Sequence, residues 1–89
     1  MKPKFDKLFF LQYKKADVRI RNAFDKRLRL FIQEPTYPQL RNHALRKKWS
    51  GHRSIDITAD WRAIYKEIKG REVTTAYFVA IGTHKELYR

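Results

Sequence analysis

The groups in this 89-residue chain best suited to chemistry are three histidines and a short acidic stretch with an arginine beside it. The histidines are His43, His52 and His84, and the stretch carries Asp56, Asp60 and Arg62. Imidazoles and carboxylates move protons near neutral pH, and a guanidinium offsets charge on a pentacovalent phosphate. Together they suit acid–base cleavage of a phosphodiester. RNA fits best, because its own 2′-hydroxyl is the nucleophile and no metal is required.

Each group also has a plainer use. A single histidine is more often structural or exposed than catalytic, and Asp60 could simply cap a turn. Asp56 sits among apolar neighbours, where an unpaired carboxylate is costly, so it must face solvent, pair with a base such as Arg62, or work. His84 rises above this background because it follows an apolar strand through a Gly82-Thr83 break, and His43 because it lies in a basic segment. His52 is expected at the surface. Glycine-rich phosphate loops and supported Ser-His-Asp or Cys-His arrangements are absent, and no histidine pair has the i,i+4 spacing of a metal site. Neither metal nor cofactor is expected.

Charge narrows the partner. Twenty-one Lys and Arg against nine Asp and Glu leave a formal charge of +12 and a pI near 10.3. That exceeds the roughly 2–8 charges that solubility asks of a small domain and implies a polyanionic partner. From Pro35 through Ile55 there is no acidic residue, while Arg41, Arg46, Lys47, Lys48 and Arg53 fall there with His43 and His52. Trp49 and Trp61 could stack on bases, with core packing an equal alternative for Trp61. The chain has no cysteine, no signal-peptide-like start and no run able to span a bilayer. A soluble, cytoplasmic protein without a membrane partner is expected.

The elements that must position these groups follow from periodicity. Arg53 to Tyr65 reads as two strands around a tight turn at Thr58-Ala59-Asp60, with Ile55 and Ile57 on one face and Ser54, Asp56 and Thr58 on the other. Lys4–Phe9 reads as a short strand, Phe10 to Ala16 as a short helix, and Leu40 to Ser50 as a loop or extended segment. Asp17 is an N-cap for a helix from Val18 to Glu34, whose apolar face is Ile20, Phe24, Leu28, Phe31 and Ile32. Pro35 and Pro38 stop that helix. Val73 to Ile81 is a central strand, and Lys85 to Arg89 a short tail. The expectation is one α+β domain over residues 1–89. In it an N-terminal strand and one or two helices pack on one face of a small, mostly antiparallel four-stranded sheet, leaving the other face for a partner.

Three blocks then carry a resemblance: Leu40-Arg-Asn-His-Ala-Leu45, Gly51 through Tyr65, and Ile81-Gly-Thr-His-Lys-Glu-Leu-Tyr88. In order and spacing they resemble the RelE/ParE toxin superfamily, and most of all its YafQ-type mRNA interferases. The resemblance implies a RelE-like fold and a type II toxin that enters the ribosomal A site, against rRNA, and cuts mRNA without metal. It also implies a cognate antitoxin that neutralises the toxin, and contact with operator DNA only through that complex. His43, Asp60, His84 and Tyr88 match active-site positions of YafQ-type toxins, Trp61 matches an aromatic there, and Arg62 matches the arginine that RelE-type members place against the scissile phosphate. On this reading Asp60 or Asp56 assists removal of the 2′-hydroxyl proton and His84 protonates the leaving oxygen. Arg62 stabilises the phosphorane, while His43 and Tyr88 orient groups or exchange protons. Arg41, Arg46, Lys47, Lys48, Trp49, Arg53 and Trp61 hold the RNA. Two departures stand out: Asp56 occupies a place where the YafQ-type pattern has histidine, and Lys47 replaces a turn glycine.

Two other functions compete. A ParE-like inhibitor of DNA gyrase would not need the histidines. A catalytically weak RNA-binding module would explain the charge and gains support from Asp56.

Overall fold

The computed structural model describes residues 1–88, so the last residue of the expected tail, Arg89, lies outside the described residues. In chain order the elements are β1 (Lys2–Phe5), α1 (Lys7–Lys15), α2 (Val18–Gln33), β2 (His43–Ala44), β3 (Arg53–Asp56), β4 (Trp61–Lys69), β5 (Thr74–Thr83) and α3 (His84–Leu87). Among the described residues no helix is long and apolar enough to cross a membrane.

The strands form one five-stranded mixed sheet in the order β1-β5-β4-β3-β2. This corrects the expected four-stranded, mostly antiparallel sheet in two places. The first strand is parallel to β5, with Lys2 opposite Thr75 and Phe5 opposite Phe78. The extra strand, β2, is only two residues, His43 opposite Ser54 and Ala44 opposite Arg53. Two residues are too few to show a period, so the segment reads as a loop by sequence.

Local chemistry sets the helix boundaries. Asp6 caps α1 by accepting from the Leu8 N–H at 3.1 Å, so the helix begins before Phe10, where periodicity alone would start it. The Tyr77 hydroxyl also donates to Asp6, 2.6 Å away, and this bond, more than the cap, holds the Asp6 carboxyl below its ordinary value. Asp17 caps α2 as expected, accepting from the Arg19 N–H at 2.7 Å, and that bond lowers its pKa too. For both, the stabilisation is present above the unfolded value of 3.8 and fades as pH falls through the lowered one.

Both long helices pack on one face of the sheet. Phe9, Phe24 and Phe31 meet Tyr65 and Phe78, with Phe24 and Phe78 ring centroids 5.7 Å apart and Phe31 and Tyr65 5.0 Å apart. Ile55, Ile57 and Ala63 complete that core, while Ile32 of the expected apolar stripe is exposed. Ile64 pairs with Ala80 and Tyr65 with Phe78, so Val79 is left over as a bulge in β5. That extra residue puts Val79 and Ala80 both on the face away from α1 and α2. There Ile64, Ala80 and Leu87 form a second cluster with Leu45, Trp49, Val79 and Tyr88 packed against it.

The C-terminal segment is not a simple tail. Thr83 accepts from the Glu86 N–H at 3.2 Å and Glu86 Oε1 accepts from the Thr83 N–H at 2.8 Å, a capping box that starts α3 at His84. Lys47 has φ +57, in the left-handed region that favours glycine. Lys47→Gly should therefore stabilise the domain by about 0.5–1 kcal/mol in urea unfolding, relief of strain outweighing the added freedom of the unfolded chain.

Candidate active site

Strand alternation delivers the site residues to the face away from the long helices. Ser54 and Asp56 point there because Ile55 and Ile57 are drawn into the helix-side core. Ser54, fully buried, accepts a hydrogen bond from the Tyr88 hydroxyl at 3.0 Å. Directly opposite Ser54 on β2 stands His43, which places its side chain on the same face. The Tyr88 ring meets His84 with centroids 4.6 Å apart. The His84 N–H in turn donates to the Asp60 carbonyl at 2.8 Å, tying the start of α3 to the β3–β4 turn. His43, Ser54, Tyr88 and His84 thus lie along one face, and the Asp60 main chain holds the start of α3 beside them.

The His43 ring is oriented by its backbone neighbour. Its Nδ1 lies 2.7 Å from the Arg41 carbonyl, and a carbonyl only accepts, so Nδ1 carries the proton. In the neutral ring Nε2 is then the free acceptor, suited to take a proton. The intervening Asn42 fixes this geometry from below. It donates to the Pro35 carbonyl at 2.9 Å and the Tyr65 hydroxyl at 2.8 Å, and accepts from Arg53 Nε at 2.9 Å. Burial, first of all, pushes the Tyr65 hydroxyl above its ordinary pKa, keeping it a neutral hydrogen-bonding group. Sequence reasoning does not single out Asn42 or Ser54. An Asn before a candidate histidine and a Ser alternating with Asp56 are the only signals.

Beside these residues lies an ion cluster. Arg62 Nε is 3.0 Å from Asp56, with side chains 14% and 12% exposed. Arg62 Nη1 also donates to the carbonyls of Thr58, Ala59 and Trp61 at 3.0, 3.1 and 3.1 Å. The guanidinium thereby fastens the turn, whose amides at Asp60 and Trp61 donate to Thr58 Oγ1. Arg41 Nε approaches the other Asp56 oxygen at 3.7 Å, with its side chain 76% exposed.

Other expected nucleic-acid contacts lie elsewhere. Arg53 is engaged by Asn42 on the helix side, and Trp61 packs against the helix-side core, lining a cleft of about 280 Å3 with Gln12, Lys15 and Gly82. Trp49 donates its indole N–H to the Leu87 carbonyl at 2.8 Å and holds α3 down. His52 is half-buried with its ring edge against Trp49, not freely exposed. Arg46, Lys47 and Lys48 are exposed on the segment between β2 and β3.

The profile of a family described as "Bacterial toxin of type II toxin-antitoxin system, YafQ" matches residues 1–89. The chain belongs to this family. Solved structures agree: YafQ from E. coli strain BL21(DE3) superposes with a TM-score of 0.79 at 24% identity, covering 99% of this chain and 98% of that one. YafQ in the E. coli DinJ-YafQ toxin-antitoxin complex gives 0.71 at 25%, covering 99% and 97%. A copper-bound mutant toxin from Helicobacter pylori gives 0.66 at 26%, covering 99% of both chains. No curated protein matches significantly by sequence. This is therefore a type II toxin of the YafQ family, and its fold is similar to that of a YoeB/ParE toxin from Agrobacterium tumefaciens.

The Ser54–Tyr88 bond yields a test within this toxin. Ser54→Ala and Tyr88→Phe should each slow the toxin's action about three- to tenfold, the worth of one such bond. The double variant should be no slower than Tyr88→Phe, since both remove one interaction. Additive losses in a growth-inhibition assay would separate the two residues.

Proposed function

We propose that this toxin is an endoribonuclease that cuts mRNA on the translating ribosome by acid–base chemistry at the RNA 2′-hydroxyl. The observation that carries the reading is the His43 ring held through Nδ1 by the Arg41 carbonyl, opposite the Ser54 that bonds Tyr88 beside His84, on a strongly basic chain. His43 Nε2 takes the 2′-hydroxyl proton, the 2′-oxygen attacks phosphorus, and the bond to the 5′-oxygen breaks. His84 gives that oxygen a proton, leaving a 2′,3′-cyclic phosphate and a 5′-hydroxyl. Asp56 is given no proton-transfer role here, because both of its oxygens face guanidiniums. The Asp60 backbone carbonyl holds the start of α3, and Tyr88 orients the His84 ring. Arg46, Lys47 and Lys48 steer the message and rRNA phosphates of the A site.

A cognate antitoxin, acidic enough to meet a charge of +12, neutralises the toxin in the cytoplasm and carries any contact with operator DNA. The presence of toxin-antitoxin complexes among structural relatives supports this partner. Primer extension on cellular mRNA after induction tests the reading. Codon-linked cuts are expected. Intact mRNA accompanied by DNA damage would replace it with gyrase inhibition.

A further inference from the structure

We infer that Arg41, not Arg62, is the guanidinium that meets the scissile phosphate, and that Asp56 is the counter-ion Arg41 gives up when RNA arrives. The inference rests on the nuclease reading above and names the cation that serves it. The cluster holds two guanidiniums and one carboxylate, so one positive charge is left over for an incoming phosphate. Distance and burial decide which. Arg62 is 14% exposed, 3.0 Å from Asp56, and has Nη1 occupied by three carbonyls. Its Nε and Nη1 are committed to Asp56 and the turn, so a substrate could meet only its remaining nitrogen, on a side chain that is mostly buried. Arg41 is 76% exposed and stands 3.7 Å from the same carboxylate, beyond hydrogen-bonding reach.

Its backbone, however, is not free. Asn42 is hydrogen-bonded to Pro35, Tyr65 and Arg53, and the Arg41 carbonyl accepts from His43 Nδ1. A left-handed φ of +46 at Arg41 fits this fixed bend. Only the side chain can swing, and it starts from a residue that already orients the proposed base. A phosphate whose 2′-hydroxyl reaches His43 would lie within the sweep of that side chain, and the planar fork of arginine suits two of its oxygens. Asp56 then keeps Arg62 in place and offers Arg41 a resting position that an anionic substrate readily displaces.

The test is single-turnover cleavage of a defined message on programmed ribosomes, at saturating toxin. Arg41→Ala should lower the saturated rate about 100-fold, as loss of one transition-state donor does. Arg41→Lys, a single-point donor, should recover part of it. Arg29→Ala removes the same charge from the exposed side of α2 and controls for net charge; its rate should stay within about twofold. A saturated rate in Arg41→Ala within about threefold of wild type overturns the inference, since a charge that only holds RNA shifts half-saturation instead. Arginine side-chain 15N spectra with a non-cleavable 2′-O-methyl oligonucleotide give a reading independent of activity. The Arg41 Nε–H signal should move and that of Arg62 should not; the reverse overturns the assignment. If wild type cuts no message on any programmed ribosome, the nuclease reading falls first and this inference with it.

Discussion

Replacing His84 by alanine is expected to cut the cleavage rate by about 10²–10⁴-fold, the range for a lost general acid, and to remove growth inhibition. The fold should survive. His84 is exposed, its ring meets Tyr88, and its bond to the Asp60 carbonyl uses the backbone N–H, which alanine keeps. Alanine also suits a helix better than histidine, so the stability change should stay within about 0.5 kcal/mol. Circular dichroism and thermal unfolding check that half of the prediction, and single-turnover cleavage the other. If His84 supplies the proton, a message with a better leaving group at the 5′-position (a 5′-thio linkage) should be cut by His84→Ala almost as fast as by wild type. A slow rate on both messages, or full toxicity in a folded variant, would remove His84 from the proton-transfer step.

The second large effect falls on stability. Asp56→Ala leaves Arg62, a side chain only 14% exposed, without its carboxylate partner. Removing one member of a buried pair costs about 3–5 kcal/mol, because the remaining charge stays desolvated. Three carbonyls still receive Arg62 Nη1, so the lower end, about 3 kcal/mol, is expected. Against the roughly 5–15 kcal/mol typical of whole domains this is a large share, visible as a lower urea midpoint with the same slope. Adding Arg62→Met should restore part of the loss, as an apolar side chain leaves no charge stranded. A loss under about 1 kcal/mol in the single variant would mean that the pair does not clamp the turn. The Asp56 carboxylate is thus tied to the architecture of the turn.

Signals that act locally are legible in the order of residues. The caps and breakers at Asp17, Pro35 and Pro38 act over one or two residues, so their effect is written beside them. Period-2 alternation likewise assigns Ile55 and Ile57 to the core and Ser54 and Asp56 to the opposite face, since neighbouring strand side chains must point to opposite sides. The capping box Thr83-x-x-Glu86 is equally local, yet the glycine and threonine there also read as a strand break, which makes α3 look like a tail.

By itself, then, the amino-acid order determined an α+β domain with a basic segment and a set of proton-moving side chains. Which of those side chains meet depended on contacts between residues far apart in the chain. The parallel pairing of Lys2–Phe5 with Thr75–Phe78 and the two-residue ladder at His43 have no local signature. Nor does the Val79 bulge, which turns both Val79 and Ala80 toward α3, or the hydroxyl bond joining Ser54 to Tyr88. Arg62 was legible as a cation, but its confinement beneath the turn was not. Burial sets that confinement, and burial belongs to the assembled fold.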